Sequence, residues 1–453
     1  MADAPLDLAA LERELRHSGL RRLAISWVNH AGATLVKVVP IGALAAAARV
    51  GVGFSPVSDA FRSDGVIDPA HGLARPDGDL RLVADLEALT SLEASSGWAW
   101  APGNRRHRDG TPYAGDQRSC CQRLQRQLEH NGLTVQAGFE LEWMVGLPTA
   151  EDRALEAVMA GGPYGADRLV EGLDYAAAIG DACDSAGLPW LQFHPEYGRG
   201  QFELSLAPGS PLEAADRLVL AKLLVQRVSR RFGWHCSFSP KPMAELVGNG
   251  GHLHLSVRRH GDPLLQGGSG PGGLSEAGAS LLGSLLEHLP ALLPLACNHP
   301  VSFRRLAPGS WSAPFQAWGI ENRETALRLV PAGGDGAAAH LELKVADLTA
   351  NPYLLLGAVL ATVAEGLATS YPLPEPIEGD PARLGAEAPP RLPAGLAEAS
   401  QAFGRSSLLR AALGETLHGS LLDSQQAECR RAEGWDDDTL LAASRWWPIV
   451  GGL

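Results

Sequence analysis

Leu8, Leu11 and Leu15 recur at helical spacing and stop short of Gly19, which predicts a first helix ended by that glycine. Alternating residues flank His30-Ala31-Gly32 and predict strands over 22–29 and 33–40 joined by a turn. Further strands are expected over 80–86 and 97–101. The Gly-, Pro- and charge-rich stretch 102–117 then reads as a boundary. Beyond it the periods of 3.6 and 2 take turns. Helices are expected over 117–129, 167–185 and 211–232, and strands over 134–145, 189–194, 200–206, 234–239 and 252–258. Residues 266–273 form a Gly-rich loop with no Gly-Lys-Ser/Thr ending, and the proline-rich stretch 372–396 reads as a meander before a last helical region. The pattern is α+β, divided into a small unit over 1–105 and a larger one over 106–453.

Composition narrows the picture. The 453 residues are 45% hydrophobic and carry a formal net charge of −13, which argues against a nucleic-acid coat or a polybasic membrane anchor. No run approaches the ~18 apolar residues of a membrane span, and the acidic amphipathic start is unlike a secretory signal, so a cytoplasmic protein is expected. Six cysteines without a Cys-x-x-Cys pair fit a reducing compartment. Only Lys37, Lys222, Lys241 and Lys344 are lysines, so most of the 38 basic residues are arginine.

Chemistry gathers in four places. In Gly138-Phe-Glu140-Leu-Glu142-Trp, two carboxylates two apart on a strand share one face and repel unless a cation lies between them. In Glu196-Tyr-Gly-Arg-Gly-Gln-Phe-Glu203, two more flank a turn. Gly248-Asn-Gly-Gly-His252-Leu-His254-Leu-Ser256 joins a loop able to present N–H groups to a strand with alternating polar side chains. Glu342 stands in the alternating His340-Leu-Glu-Leu-Lys344. Many carboxylates with one or two imidazoles suit Mg²⁺ or Mn²⁺, whereas a structural zinc site wants Cys and His at a spacing this chain lacks. Taken one at a time, each of these segments also fits a solvated strand face or a satisfied core histidine.

The stretch from Phe303 to Arg328 adds Arg305, Arg323 and Arg328, planar forks suited to carboxylate and phosphoryl oxygens. Divalent metals with converging arginines are what phosphoryl transfer requires.

The ordered motifs Glu-x-Glu, Glu-x4-Gly-Gln-x-Glu, Ser-Pro-Lys241-Pro, Gly-Asn-Gly-Gly-His-x-His-x-Ser, Arg-Leu-x-Pro-Gly, Glu-Asn-Arg and Leu-Glu-Leu-Lys, closing on Asn351-Pro-Tyr353, resemble the glutamine synthetase superfamily of ATP-dependent carboxylate–amine ligases. The resemblance implies an N-terminal β-grasp domain and a catalytic domain whose curved antiparallel sheet forms a funnel, with ATP at one end and the acid substrate at the other. It implies small-molecule substrates, ATP with two or three Mg²⁺ or Mn²⁺, and a homo-oligomer of two stacked rings, a dodecamer, in which neighbours complete each site. One metal falls to Glu142, Glu196 and Glu203, the other to Glu140, His252 and Glu342. His254 and Ser256 match positions near the nucleotide, Arg323 and Arg328 those that hold phosphoryl oxygens, and Arg305, with Gly248, those around the substrate carboxylate. Arg323, Arg305 and Glu342 are thereby the catalytic candidates. The implied chemistry phosphorylates the γ-carboxylate of glutamate and then forms an amide with an amine.

Three departures from the family qualify that reading. Where the ammonia-using enzymes carry acids around ammonium, this chain aligns Trp311 in the flap and Ser55 in the N-terminal unit. An indole and a hydroxyl supply no countercharge for a small cation, but tryptophan suits an alkyl, aromatic or cationic amine. Lys344 replaces an arginine and cannot form its bidentate fork, and Val247 replaces an asparagine, which bears on the identity of the acid. The expected function is a glutamate–organic amine ligase. The alternatives are a true glutamine synthetase with a rebuilt ammonium site, a non-catalytic ring-forming relative, and a metal-dependent hydrolase, which would leave the arginine segment unexplained.

Overall fold

The computed structural model describes residues 6–93, 96–148, 155–312, 314–333 and 338–447. Two sheets organise them. The first has six strands in the order Thr34–Pro40, Arg22–Val28, Trp98–Arg106, Leu80–Ala84 and Val52–Phe54, with Thr90–Glu93 also paired to Trp98–Arg106. Its ladders are antiparallel except between Arg22–Val28 and Trp98–Arg106. Trp98–Arg106 runs on through Pro102 and Gly103, which composition alone marks as a break. A Cβ on Gly103 would lie 2.4 Å from Leu82 Cδ1, so the neighbouring strand accommodates only glycine there without moving. The helix Leu8–His17 is capped by Asp7 and turns Leu8 and Leu15 into a core with Leu23, Ile25, Leu44 and Leu82.

The second sheet has ten strands and curls, antiparallel but for one parallel pair, Trp318–Ile320 with Leu327–Val330. Its main path runs Trp318–Ile320, Leu327–Val330, His340–Leu343, Leu253–Arg259, Leu133–Pro148, Gln201–Leu206 and Trp190–Pro195. Phe139, Leu141 and Trp143 of the longest strand, Leu133–Pro148, enter a core shared with the helices Pro211–Arg231, Glu276–Ala296 and Pro352–Ala368. Glu276–Ala296 is the one described helix long and apolar enough to cross a membrane, and it lies mostly buried in this core. The helix expected over 167–185 is broken into Ala166–Glu171 and Leu173–Ser185 at Gly172, where a Cβ would meet Met159 Sδ at 2.7 Å. All six cysteines are free.

Buried polar contacts fasten the first sheet to the rest. Arg105 is fully buried and binds Asp59 at 2.6 Å, Asp116 at 2.8 Å and the Gly115 carbonyl at 2.7 Å. Asn351 accepts from the Tyr353 N–H at the start of its helix and donates to the Val28 and Asn29 carbonyls. Gly32, at φ +79, lets the turn after Arg22–Val28 approach so closely that a Cβ would sit 1.9 Å from the Thr349 carbonyl oxygen.

Candidate functional site

Because side chains alternate along Leu133–Pro148, the face opposite its core residues presents Glu140 and Glu142. Antiparallel pairing then sets Glu203 across from Glu142 and His194 across from Glu203. On the other flank Glu342 pairs with His254, and Arg328 with Glu342. Register alone therefore gathers four carboxylates from three strands, and Glu196 joins them from the end of Trp190–Pro195.

The ligand-type atoms fall into three groups, each within 4.8 Å: Glu140, His252 and Glu342; Glu142, Glu203 and His252; and His194, Glu196 and Glu203. The first is the trio expected as one metal site. The other expected trio is spread over two groups that share Glu203, and they bring in His194, which the sequence reading missed. His194 Nε2 lies 3.5 Å from Glu196 and 3.9 Å from Glu203, and His252 Nδ1 lies 3.3 Å from Glu140 and 3.4 Å from Glu342. The available signal for His194 was its alternation with Glu196 at the end of a strand.

Crowding shows in the protonation balance. Burial, then the charges of Glu140, Glu142 and Glu196, pushes the Glu203 carboxyl up to about 10. Burial also raises Glu142, against the pull of His252 and the Gly250 N–H. For Glu140, burial is outweighed by His252 and His254, which hold it well below the usual carboxylate range. Glu342 is likewise held down, to about 2, because Lys344 and the two histidines outweigh its burial. Burial opposes charge on the His254 ring, yet the Glu140 carboxylate 3.4 Å from its Nε2 raises its pKa.

The glycine loop serves these acids. The Gly250 N–H donates to Glu142 at 2.9 Å, and Gln201 Nε2 donates to Glu142, the Gly248 carbonyl and Asn249 Oδ1. A Cβ on Gly248 would lie 2.4 Å from the Pro240 carbonyl oxygen and 2.6 Å from Arg305 Cγ. Arg305 is buried, with its Nη2 turned to the Lys344, Val345 and Ala346 carbonyls and its Nε left without a partner. Lys344 is also buried, its Nζ 2.9 Å from Glu342 Oε1. Arg328 pairs with Glu342 at 3.1 Å and with Glu321, and its Nε too lacks a partner.

Two cavities meet at Glu140 and Gln192. The larger, about 810 Å³, is lined by Glu142, Glu196, Glu203, His252, Gly248, Lys241, Arg305, Arg323, Arg328, Lys344 and Trp311. The smaller, about 570 Å³, takes in His254, Ser256, Arg258 and His340. Trp311 is half exposed at φ 53 on the rim, its backbone N–H donating to Glu324 Oε1 at 2.8 Å. Of the expected site residues only Ser55 is not brought in: it caps the turn Pro56–Ala60, outside both cavities of its own chain.

The family described as glutamine synthetase, catalytic domain, matches residues 114–438. A gamma-glutamylpolyamine synthetase, GlnA3 of Streptomyces coelicolor, is 44% identical over 445 residues, covering 96% of each chain. A glutamine synthetase of Pyrococcus abyssi is 30% identical over 68% of this chain and 70% of its own length. Among solved structures, a glutamine synthase homologue superposes with a TM-score of 0.84 at 28% identity, over 94% of this chain and 99% of its own. A GmaS/ADP complex reaches a TM-score of 0.83 at 27% identity, over 95% and 97%.

Proposed function

The chain belongs to the glutamine synthetase family, and from that premise we propose that it joins glutamate to an organic amine of the polyamine class. It is an ATP-dependent ligase that forms C–N bonds between glutamate and an amine, and its substrates are small molecules. Like the rest of its family it uses ATP and divalent metals.

One observation carries the finer reading. Trp311 stands at the mouth of the carboxylate-lined cavity, and the motif spacing from Arg305 to Arg323 aligns it with the flap acid of the ammonia-using enzymes. An indole favours an alkyl or cationic amine over bare ammonium. The name of the 44% identical relative points the same way.

In this reading Glu142, Glu196 and Glu203 hold one cation and Glu140, His252 and Glu342 another, two or three Mg²⁺ or Mn²⁺ in all. The donor set fits a hard divalent ion, and the shared space that pushes Glu203 up is space a cation would relieve. Such ions, when bound, neutralise charge on the transferring phosphoryl group. Arg323 and Arg328 hold phosphoryl oxygens, and the free Nε of Arg328 leaves a donor for them. Arg305 holds the α-carboxylate of the acid through the donors its backbone contacts leave open, with Gly248 keeping that wall thin. His254 and Ser256 border the nucleotide in the smaller cavity. Lys344 keeps Glu342 ionised and lines the acid pocket. The glutamate γ-carboxylate takes the γ-phosphoryl group of ATP, releasing ADP. The amine then attacks the acyl carbon and expels phosphate.

The wider assignment is a cytoplasmic homo-oligomer of stacked rings, a dodecamer, built from a β-grasp unit over 1–105 and a catalytic unit over 106–453. Ser55 lies outside both cavities described above, which leaves it to a neighbour's site in this reading. The test is phosphate release with glutamate, ATP and Mg²⁺ across ammonia and a panel of organic amines. A di- or polyamine is expected to turn over fastest, and the reading fails if ammonia does at least as well as every organic amine.

A further inference from the structure

Among the described residues three Phe, Tyr or Trp side chains are exposed: Tyr164 at 52%, Tyr197 at 46% and Trp311 at 52%. They come from three separate segments, and all three line the same cavity, the one above the carboxylates. Large aromatic surface is normally buried, so its convergence around one opening points to a ligand that covers it. The backbone adds a second sign. Tyr164 and Trp311 both sit at positive φ, 54 and 53, a conformation that bulky side chains adopt when their surroundings hold them there.

Local contacts fix the three rings. Tyr197 meets Trp311 edge to face, with centroids 6.1 Å apart and planes at 80°. Tyr164 stacks on His194 at 5.9 Å and 16°. Glu324 accepts from the Trp311 backbone N–H and so holds the main chain that carries the third ring. Glu245 lines the same cavity, and the Lys241 ammonium donates to the Leu246 carbonyl. Aromatic faces attract an ammonium within ~6 Å of the ring centroid, indole most of all, and they also cover the methylene chain behind it.

From this geometry we infer that Tyr197, Trp311 and Tyr164 form an aromatic clamp for the alkylammonium tail of a diamine or polyamine, while the uncharged amino end reaches the acyl carbon over the carboxylate cluster. Tyr197 and Tyr164 are then specificity-determining residues that the sequence motifs do not include. The inference rests on the ligase reading above and goes further, since it assigns the charged end of the amine to a place.

The experiment compares 1,4-diaminobutane with n-butylamine, which has the same chain without the second charge, and with hydroxylamine, a small amine uncharged at neutral pH. The wild type is expected to favour the diamine over butylamine by about tenfold in kcat/KM, as one well-formed cation–π contact allows. Tyr197→Ala brings that ratio close to one through the KM of the diamine, while hydroxamate formation and the KM for glutamate move less than about twofold. Tyr197→Phe, which keeps the ring, keeps the preference. An unchanged ratio in Tyr197→Ala overturns the clamp. So does a parallel loss of hydroxamate formation, which would place Tyr197 in the service of its neighbour Glu196. A wild type active on amines without preferring the diamine removes the clamp alone, whereas one inactive with every amine removes the ligase reading beneath it.

Discussion

In protein stripped of divalent cations, Glu203→Gln stabilises the fold. Glu203 is only 8% exposed and faces Glu142 directly across the strand pair. Burial and the charges of Glu140, Glu142 and Glu196 raise its carboxyl from 4.5 to about 10. At pH 7 the folded chain therefore keeps a proton that the unfolded chain has lost. Over the roughly 2.5 units between 4.5 and 7, at ~1.4 kcal/mol per unit, this costs about 3.5 kcal/mol. The sign follows from a folded value above the unfolded one: the contribution is intact below pH 4.5 and is lost progressively as pH rises toward 10. Glutamine has no proton to lose, so in EDTA the variant's advantage should grow by ~1.4 kcal/mol per pH unit between pH 6 and 8, read from urea unfolding. Mg²⁺ or Mn²⁺ at ~1,000 Kd should reverse the order at pH 7, because binding then gives the wild type about 4.1 kcal/mol, more than the proton costs it, and the variant has lost a ligand. A difference that stays flat with pH refutes the crowding argument. Equal stabilisation of both proteins by the cations removes Glu203 from their coordination.

Three further outcomes are expected. His30 and His299 are buried, and burial lowers them to about 4 and about 3, so stability should be full above pH 6.5 and fall as pH drops below it; His30→Gln should flatten part of that slope in thermal melts. Arg105→Met strands Asp59 and Asp116 in the interior and should destabilise by about 3–5 kcal/mol in urea unfolding, with Asp59→Asn recovering part of the loss in the double variant. Trp311→Glu returns a carboxylate to the rim and should shift the ratio of ammonia- to diamine-dependent phosphate release toward ammonia by about tenfold, measured side by side on one preparation.

What the sequence made legible follows from what local pattern encodes. Alternation exposed the strand carrying Glu140 and Glu142 and correctly placed both on one face, because a strand's period is independent of its partners. The helices Glu276–Ala296 and Pro352–Ala368 escaped the reading for the opposite reason: they are apolar on nearly every side, so no polar stripe marks a period. Gly172 breaks a helix whose hydrophobic spacing runs straight through it, and the close approach of Met159 that leaves no room for a side chain there comes from outside the helix. His194 was missed because its tie to Glu203 is a cross-strand pairing, and Tyr164 and Tyr197 because nothing local says that they converge with Trp311.

Register is what turns these separate signals into a site. Glu142 faces Glu203, Glu203 faces His194, and Glu342 faces both His254 and Arg328, each across an antiparallel ladder. A slip of one residue in any of these ladders would send that strand's polar side chains to the helical core and its Leu, Phe or Trp to the cavity. The apolar face that packs on Pro211–Arg231 and the two apolar helices therefore enforces the crowding of acids on the other face. The repulsion that pushes Glu203 up is not relieved by the fold, because relieving it would mean unpacking Leu141, Trp143, Phe202 and Leu204. It is held in place as a standing demand for positive charge, which Lys344, His252 and His254 outweigh for Glu342 and Glu140 but which His252 does not outweigh for Glu142. The unmet part lies at Glu142 and Glu203, the pair whose carboxyls burial and crowding raise, and it is there that the proposed cation would offset the most repulsion.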